Sequence, residues 1–160
     1  MVMKKLGLVS GMVLLSIFVL SSLSFAQHGG MKMDSGSMKM ETKDVLVEGV
    51  KVSFAVMAND EHKKMLEDMK MKEDIEPGTT HNITVTLKDE KTQKEIPDAQ
   101  INMKLVDPKG KDQVKALKYE EMMKSYDAFF NLAEKGKYQV MILFKIGDQK
   151  RTAGIFHEVK

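Results

Sequence analysis

The sequence contains no cysteine and no tryptophan. The absence of cysteine excludes disulfides, thiolate metal ligands, a cysteine nucleophile and a lipoprotein anchor. The folded part must therefore be stabilised by its core alone, which is feasible at this chain length. The sequence also lacks a glycine-rich phosphate loop and a histidine pair at zinc spacing. These absences predict that the protein is not an enzyme.

Residues 1–26 are typical of a cleavable signal peptide. Lys4 and Lys5 precede the apolar run 6–20, and Ser24-Phe25-Ala26 places small residues at the two positions that a signal peptidase recognises. The run is shorter than the roughly 20 residues that a membrane span needs, although an uncleaved N-terminal anchor remains the alternative. We expect a periplasmic or secreted protein with no membrane span after cleavage.

The charge balance excludes one class of partner. The whole chain has 25 basic and 23 acidic residues, and two of the basic residues belong to the predicted signal. The remainder is neutral, with both signs interspersed. A neutral domain of this kind lacks the basic surface that nucleic acid requires, so we expect no nucleic-acid partner.

Residues 27–43 are predicted to be a flexible tail. They contain three glycines and two serines but no branched aliphatic residue. Such a segment cannot bury enough apolar surface to become ordered. It carries a short imperfect repeat, Met31-Lys32-Met33 and Met38-Lys39-Met40. The folded domain is accordingly placed at 44–160.

From Val45 onward the sequence predicts strands with one early helical insertion. The segment 50–56 alternates apolar and small or polar residues, which is the pattern of a half-buried strand. The same pattern recurs in 81–87, 99–106, 114–119, 126–132, 138–144 and 152–159. After the first of these strands, Asn59 or Asp60 can cap a helix over 61–72, which Pro77-Gly78 would break. About seven strands at short spacing predict an all-β, immunoglobulin-like antiparallel β-sandwich.

Three positions carry more specific structural predictions. Gly136-Lys137-Tyr138 fits a tyrosine corner, in which the phenol hydroxyl bonds to nearby backbone; an ordinary core aromatic is the alternative. Met103 shares the apolar face of its strand and is predicted to lie in the core. Met141 is also assigned to the core, because Leu143 makes both faces of its strand apolar.

Four short motifs resemble the YtkA-like domain family. They are His81-Asn82-Ile83-Thr84-Val85, Ile96-Pro97-Asp98-Ala99, Tyr126-Asp127-Ala128-Phe129-Phe130 and Gly136-Lys137-Tyr138-Gln139-Val140. The resemblance covers about 45–160. It implies a small exported β-sandwich, loosely similar to the copper-resistance CopC sandwich, and a link to metal handling. His81 matches the histidine of that family, although a surface histidine at a strand end is the alternative.

Methionine is the anomalous residue. Three of the 15 methionines lie in 1–26, which leaves 12 in the 134 residues that follow. Polarisable sulfur binds soft monovalent ions such as copper(I), and a thioether cannot be lost to a disulfide in an exported protein. Oxidation to the sulfoxide would still remove the ligand. Copper(I) is therefore the expected ion.

The tail is the first candidate metal site, because it has no core for methionine to fill. Its candidate ligands are His28, Met31, Met33, Met38 and Met40. If Gln27 were the mature terminus, its amine and His28 together would chelate copper(II), unless Gln27 cyclised. A merely solvating tail is the alternative.

The helix is the second candidate site. His62, Met65 and Met69 recur at i, i+3 and i+7, which places them on one stripe. A lid packed on the sandwich through flexible methionines has the same pattern. Met122 and Met123 lie in a predicted linker, where at least one must be exposed, and they are further candidates. His157 is assigned to the surface.

Two functions of different class follow. The first is metal binding through methionine thioethers with histidine assistance, with an envelope metal transporter or oxidase as the partner class. The second is a structural or interaction module of an extracytoplasmic assembly. In that case methionines on the helix would make adaptable contacts and metal would play no part.

Overall fold

Alternating apolar residues build two facing antiparallel sheets in the computed structural model, which describes residues 42–72 and 74–160. The strands are β1 Thr42–Val47, β2 Val50–Ala58, β3 His81–Asp89, β4 Gln100–Val106, β5 Asp112–Ala116, β6 Lys118–Glu120, β7 Ser125–Phe130, β8 Gly136–Ile146 and β9 Gln149–Val159, and the helix α1 is Asn59–Asp68. Sheet A has the order β1-β2-β3-β7-β6, and sheet B has the order β5-β4-β8-β9. The predicted all-β antiparallel sandwich is confirmed.

The described residues form nine strands, two more than the sequence pattern predicts. One addition is β1, which pairs along β2 from Thr42↔Ala55 to Val47↔Val50. Its first two residues, Thr42 and Lys43, fall within the segment assigned to the tail. Because β1 precedes β2, the helix follows the second strand.

The other addition arises because the predicted strand 114–119 changes sheets. β5 pairs with β4 in sheet B, whereas β6 pairs with β7 in sheet A. Leu117 lies between them, is buried, and donates its N–H to the carbonyl of Ile101. One alternating pattern therefore serves two strands, which the pattern alone does not reveal.

The inward faces of both sheets form the main core. Met103 is fully buried there, as predicted. The assignment of Met141 to the core is wrong: it is only half-buried, and its neighbour Leu143 is 44% exposed. Both lie on the outer face of sheet B, where no described element covers them.

Tyr138 closes one end of the core. Its ring is fully buried, and its hydroxyl accepts a 2.9 Å hydrogen bond from the backbone N–H of Glu134. The bond returns to backbone four residues upstream, so the predicted tyrosine corner is confirmed.

The helix begins two residues earlier and ends four residues earlier than predicted. The cap position is Ala58, without a side-chain hydrogen bond. Asn59 instead donates its side-chain amide to the carbonyl and hydroxyl of Thr79. The last turn closes with Lys70 at a positive φ of 54° and with the N–H of Met71 bonded to the carbonyl of Leu66. This left-handed closure ends the helix without glycine.

Candidate metal-binding site

His81 begins β3 at one end of the sandwich. It pairs with Ala58 and Phe130, and it has the same strand parity as the buried residues Ile83 and Val85. Its side chain therefore belongs to the inward face of sheet A and is half-buried. His81 thus lies at the edge of the core. This position is more enclosed than that of a surface histidine at a strand end, which was the alternative interpretation.

Thr80 fixes the orientation of the His81 ring. The Thr80 hydroxyl lies 2.8 Å from His81 Nδ1, and the same oxygen accepts the N–H of Leu132 at 2.8 Å. Because Nδ1 is engaged, Nε2 is the nitrogen that can meet a ligand. Metal-binding histidines commonly have this arrangement, in which an oxygen holds the other ring nitrogen.

His157 occupies the matching position on sheet B. It pairs with the buried Tyr138, and it shares its strand parity with Ala153 and Ile155, which both pack on the core. Its side chain is half-buried. The sequence pattern placed His157 on the surface because it alternates with Phe156, but Phe156 is the residue that points outward, at 53% exposure. Counting the parity from Ala153 would have identified the inward face.

The two histidines interact electrostatically. Burial lowers the pKa of His81, the charge of His157 lowers that pKa further, and Glu61 at the start of α1 partly opposes both. The imidazole of His81 is therefore held in its neutral form near neutral pH, which is the form that binds metals.

Strand β1 begins at this same end of the sandwich. Thr42, the first described residue, pairs with Ala55, three residues before the partner of His81. Lys43 donates to the carbonyl of Phe156 at 2.6 Å, which ties β1 to β9. A small cavity of about 40 Å³ is lined there by Lys43, Phe54, Val56, Ile155 and His157. His81, His157 and the start of β1 together define what we call the mouth of the sandwich.

The tail candidates His28, Met31, Met33, Met38 and Met40 lie outside the described residues, as does the predicted signal peptide. Their role as ligands remains a prediction.

The predicted helical stripe is split between environments. His62 is 2% exposed, Met65 is half-buried and Met69 is 42% exposed. The second residue that the helix buries is Leu66, at i+4 from His62. The side facing the sheet is therefore His62 and Leu66, and the three predicted ligands do not share one environment.

Met122 and Met123 lie in the turn between β6 and β7. Met122 is 67% exposed, and Met123 is half-buried. This turn precedes Ser125, whereas His81 pairs with Phe130 at the other end of β7. Five strand residues span about 16 Å, so these methionines and His81 do not share one ion.

Within residues 42–72 and 74–160, no group of three histidine or carboxylate side chains is arranged to hold a metal. A helix long and apolar enough to cross a membrane is likewise absent from these residues.

The fold has known relatives, although no protein-family model and no curated protein sequence matches the chain. FetP from uropathogenic Escherichia coli strain F11, recombinantly expressed in the periplasm, is 11% identical with a TM-score of 0.59, over 76% of this chain and 97% of that one. A copper-bound variant of FetP is 11% identical with a TM-score of 0.55, over 72% and 93%. A DUF4426 family protein from Pseudomonas aeruginosa PAO1 is 14% identical with a TM-score of 0.54, over 74% and 94%. At these identities the likeness establishes a shared fold, and the YtkA-like resemblance stays a prediction.

Proposed function

We propose that this protein is an exported, non-enzymatic soft-metal-binding protein that takes copper(I) at the mouth of the sandwich. The observation that carries the proposal is the convergence of His81 and His157, one from each sheet, at the end where β1 begins, directly after the methionine-rich segment of the sequence. Storage, delivery and detoxification of the ion are all consistent with such a site.

The donors present at the mouth fit copper(I). Imidazole and thioether are the uncharged ligands that this soft ion accepts. His81 supplies Nε2, because Thr80 holds Nδ1. Burial keeps the imidazole neutral, so proton competition at neutral pH is weak. Copper(I) bound here would be taken up and released by ligand exchange, without a catalytic step.

The tail can complete the coordination. Met40 and Met38 are two and four residues from Thr42, and four residues of chain reach at most about 14 Å. Thr42 lies three strand residues, about 10 Å, from the level of His81. Met38 is thus within covalent reach of the level of His81, and Met40 is within reach of the start of β1.

The fold comparison supports the same chemistry. One protein with this fold, the FetP variant, is copper-bound. The signal-like segment 1–26 supports export, and export favours thioethers over thiols as sulfur ligands. An envelope metal transporter or oxidase is the partner class to which such a carrier would pass the ion.

Competition for copper(I) tests the proposal. The mature chain, 27–160, is titrated anaerobically against a chromophoric copper(I) chelator, beside H81A, H157A and a form that begins at Thr42. We expect the parent to take about one ion at the mouth and each variant to bind it at least 10-fold more weakly. M122L is the matched control, because its thioether is exposed at the other end of β7. No competition by the parent, or equal affinity in parent and H81A/H157A, would overturn the proposal.

The outer face of sheet B favours a second candidate function, an interaction module. Val114 is 63% exposed and Leu143 is 44% exposed beside the half-buried Met141. These residues line a groove of about 620 Å³. If this face alone explained the protein, L143K would abolish capture of a defined envelope partner, and that capture would be unchanged by a copper chelator.

A further inference from the structure

The helix covers a second small core, which lies on the outer face of sheet A. Met57, Leu66 and Phe129 are each 6% exposed or less, yet none belongs to the core cluster between the sheets. Met57 pairs with Asn82, and Asn82 pairs with Phe129, so Met57, Asn82 and Phe129 form one row across the sheet. α1 contributes Leu66 and His62 from above.

His62 is the irregular member of this cluster. Its side chain is 2% exposed, and its ring meets Phe129 edge-on, with centroids 5.3 Å apart. Its Nδ1 is fully buried and has no hydrogen-bond partner among the described residues. A buried nitrogen without a partner is destabilising, so a structural role alone does not account for its placement.

The polar side chains of Asn82, Thr84 and Asp127 on this face of sheet A are hydrogen-bonded to one another. Asn82 donates its amide to Asp127 Oδ2 at 2.7 Å, and its carbonyl oxygen accepts the hydroxyl of Thr84 at 2.9 Å. A buried water needs two to four polar partners, whereas the His62 ring packs edge-on against the apolar ring of Phe129. The site is therefore better suited to a soft ion, which needs fewer polar partners than a water does.

We infer that α1 encloses a second soft-ion site, in which a copper(I) or silver(I) ion is held by His62 Nδ1 and the buried thioether of Met57. The inference rests on the proposed function, since it assigns the same ligand class to another part of the domain. The half-buried Met65, one helical turn from His62, is the third donor available at the rim.

Charge around the cluster favours a cation there. Asp127 and Asp74 both lie close enough to His62 to stabilise positive charge on its ring. A bound monovalent cation would benefit from the same two carboxylates without contacting them.

The test uses silver(I) on the mature chain, with stoichiometry read by native mass spectrometry. M57L conserves volume, H62F retains the ring contact with Phe129, and M103L is a matched control that replaces a buried core methionine. Thermal unfolding of each variant verifies that it is folded. We expect M57L and H62F each to lose one silver(I) ion relative to the parent, whereas M103L loses none.

The two proposals fail in distinguishable ways. Unchanged stoichiometry in M57L and H62F overturns the enclosed site and leaves the mouth intact. Loss of an ion only in H81A or H157A likewise overturns the enclosed site alone. Absence of silver(I) and copper(I) binding in the parent overturns both.

Discussion

His81 and His157 extend inward from opposite sheets at the same end of the sandwich, and the charge of His157 lowers the pKa of His81. They are 76 residues apart in the sequence, and the sandwich brings them together because β3 and β9 each have a terminus there. Strand β1 begins at that end as well. This relationship brings two candidate ligands that are distant in the sequence to one end of the domain, where we propose that an ion binds.

Thr80 should act as a positioning residue for the mouth. T80V removes the hydroxyl that lies 2.8 Å from His81 Nδ1 and that accepts the N–H of Leu132. We expect copper(I) affinity to fall about 10-fold and the free energy of unfolding to fall by about 1–2 kcal/mol. Chelator competition and urea unfolding measure the two effects. T86V, a half-buried threonine further along β3, is the control; equal affinity in T80V and T86V would contradict the role of Thr80.

The tyrosine corner should make a measurable contribution to stability. Y138F keeps the buried ring but leaves the N–H of Glu134 without its partner. The expected loss in free energy of unfolding is about 1–2 kcal/mol, measured by urea denaturation. Y119F serves for comparison, because Tyr119 is only half-buried and packs against Tyr126 through its ring. A loss no larger than that of Y119F would show that the corner bond is not stabilising.

Stability should depend on pH through His62, His81 and Asp127. Burial lowers the pKa of both histidines from 6.5. Their contribution to the free energy of unfolding is therefore present above about pH 6.5 and is lost as the pH falls below it. Burial raises the pKa of Asp127 above 3.8, so its ionisation destabilises the fold as the pH rises through that raised value.

The Asp127 effect can be isolated with one substitution. D127N removes the buried charge while keeping an oxygen that can accept from Asn82, so the free energy of unfolding at pH 7 should increase. Urea unfolding between pH 4 and pH 8 measures it, and the parent and variant curves should converge at the acid end. A variant that is less stable than the parent at pH 7 would mean that the bond to Asn82 outweighs the burial.

Sheet B should tolerate charge on its outer face. Leu143 is 44% exposed, whereas the adjacent Ile142 is 1% exposed. L143K is expected to change the free energy of unfolding by less than about 0.5 kcal/mol, and I142A should lower it by about 2–5 kcal/mol. Thermal or urea unfolding of the two variants measures both effects. A large decrease in the free energy of unfolding of L143K would show that Leu143 and Met141 are buried after all.

Strand pattern predicted most of the fold because period-2 alternation reports directly on which face is buried. The segments around Ile83, Met103 and Val140 were placed correctly for that reason. The pattern does not report on sheet membership, so it missed the change of sheets at Leu117. It also gave the wrong environment for Met141, because a strand with an apolar outer face has the same sequence pattern as a strand that is buried on both faces.

The candidate site was less accessible from the sequence because it depends on contacts between distant elements. Helical spacing grouped His62, Met65 and Met69, yet the angle at which α1 packs buries His62 with Leu66 instead. The proximity of His81 and His157 requires knowing that β3 and β9 meet at one end of the sandwich. The sequence signal for this site was the alternation along β9, which places His157 on the inward face. The apolar Phe156 obscured that signal, because it points outward.

Ion binding between the two histidines of the mouth can be observed at the ring nitrogens themselves. The most direct measurement is nuclear magnetic resonance of the histidine ring nitrogens while silver(I) is added to the mature chain. We expect the His81 Nε2 resonance and a ring-nitrogen resonance of His157 to shift together within the same equivalent of silver(I). If both remain unchanged while the protein takes up silver(I), the mouth is not the binding site.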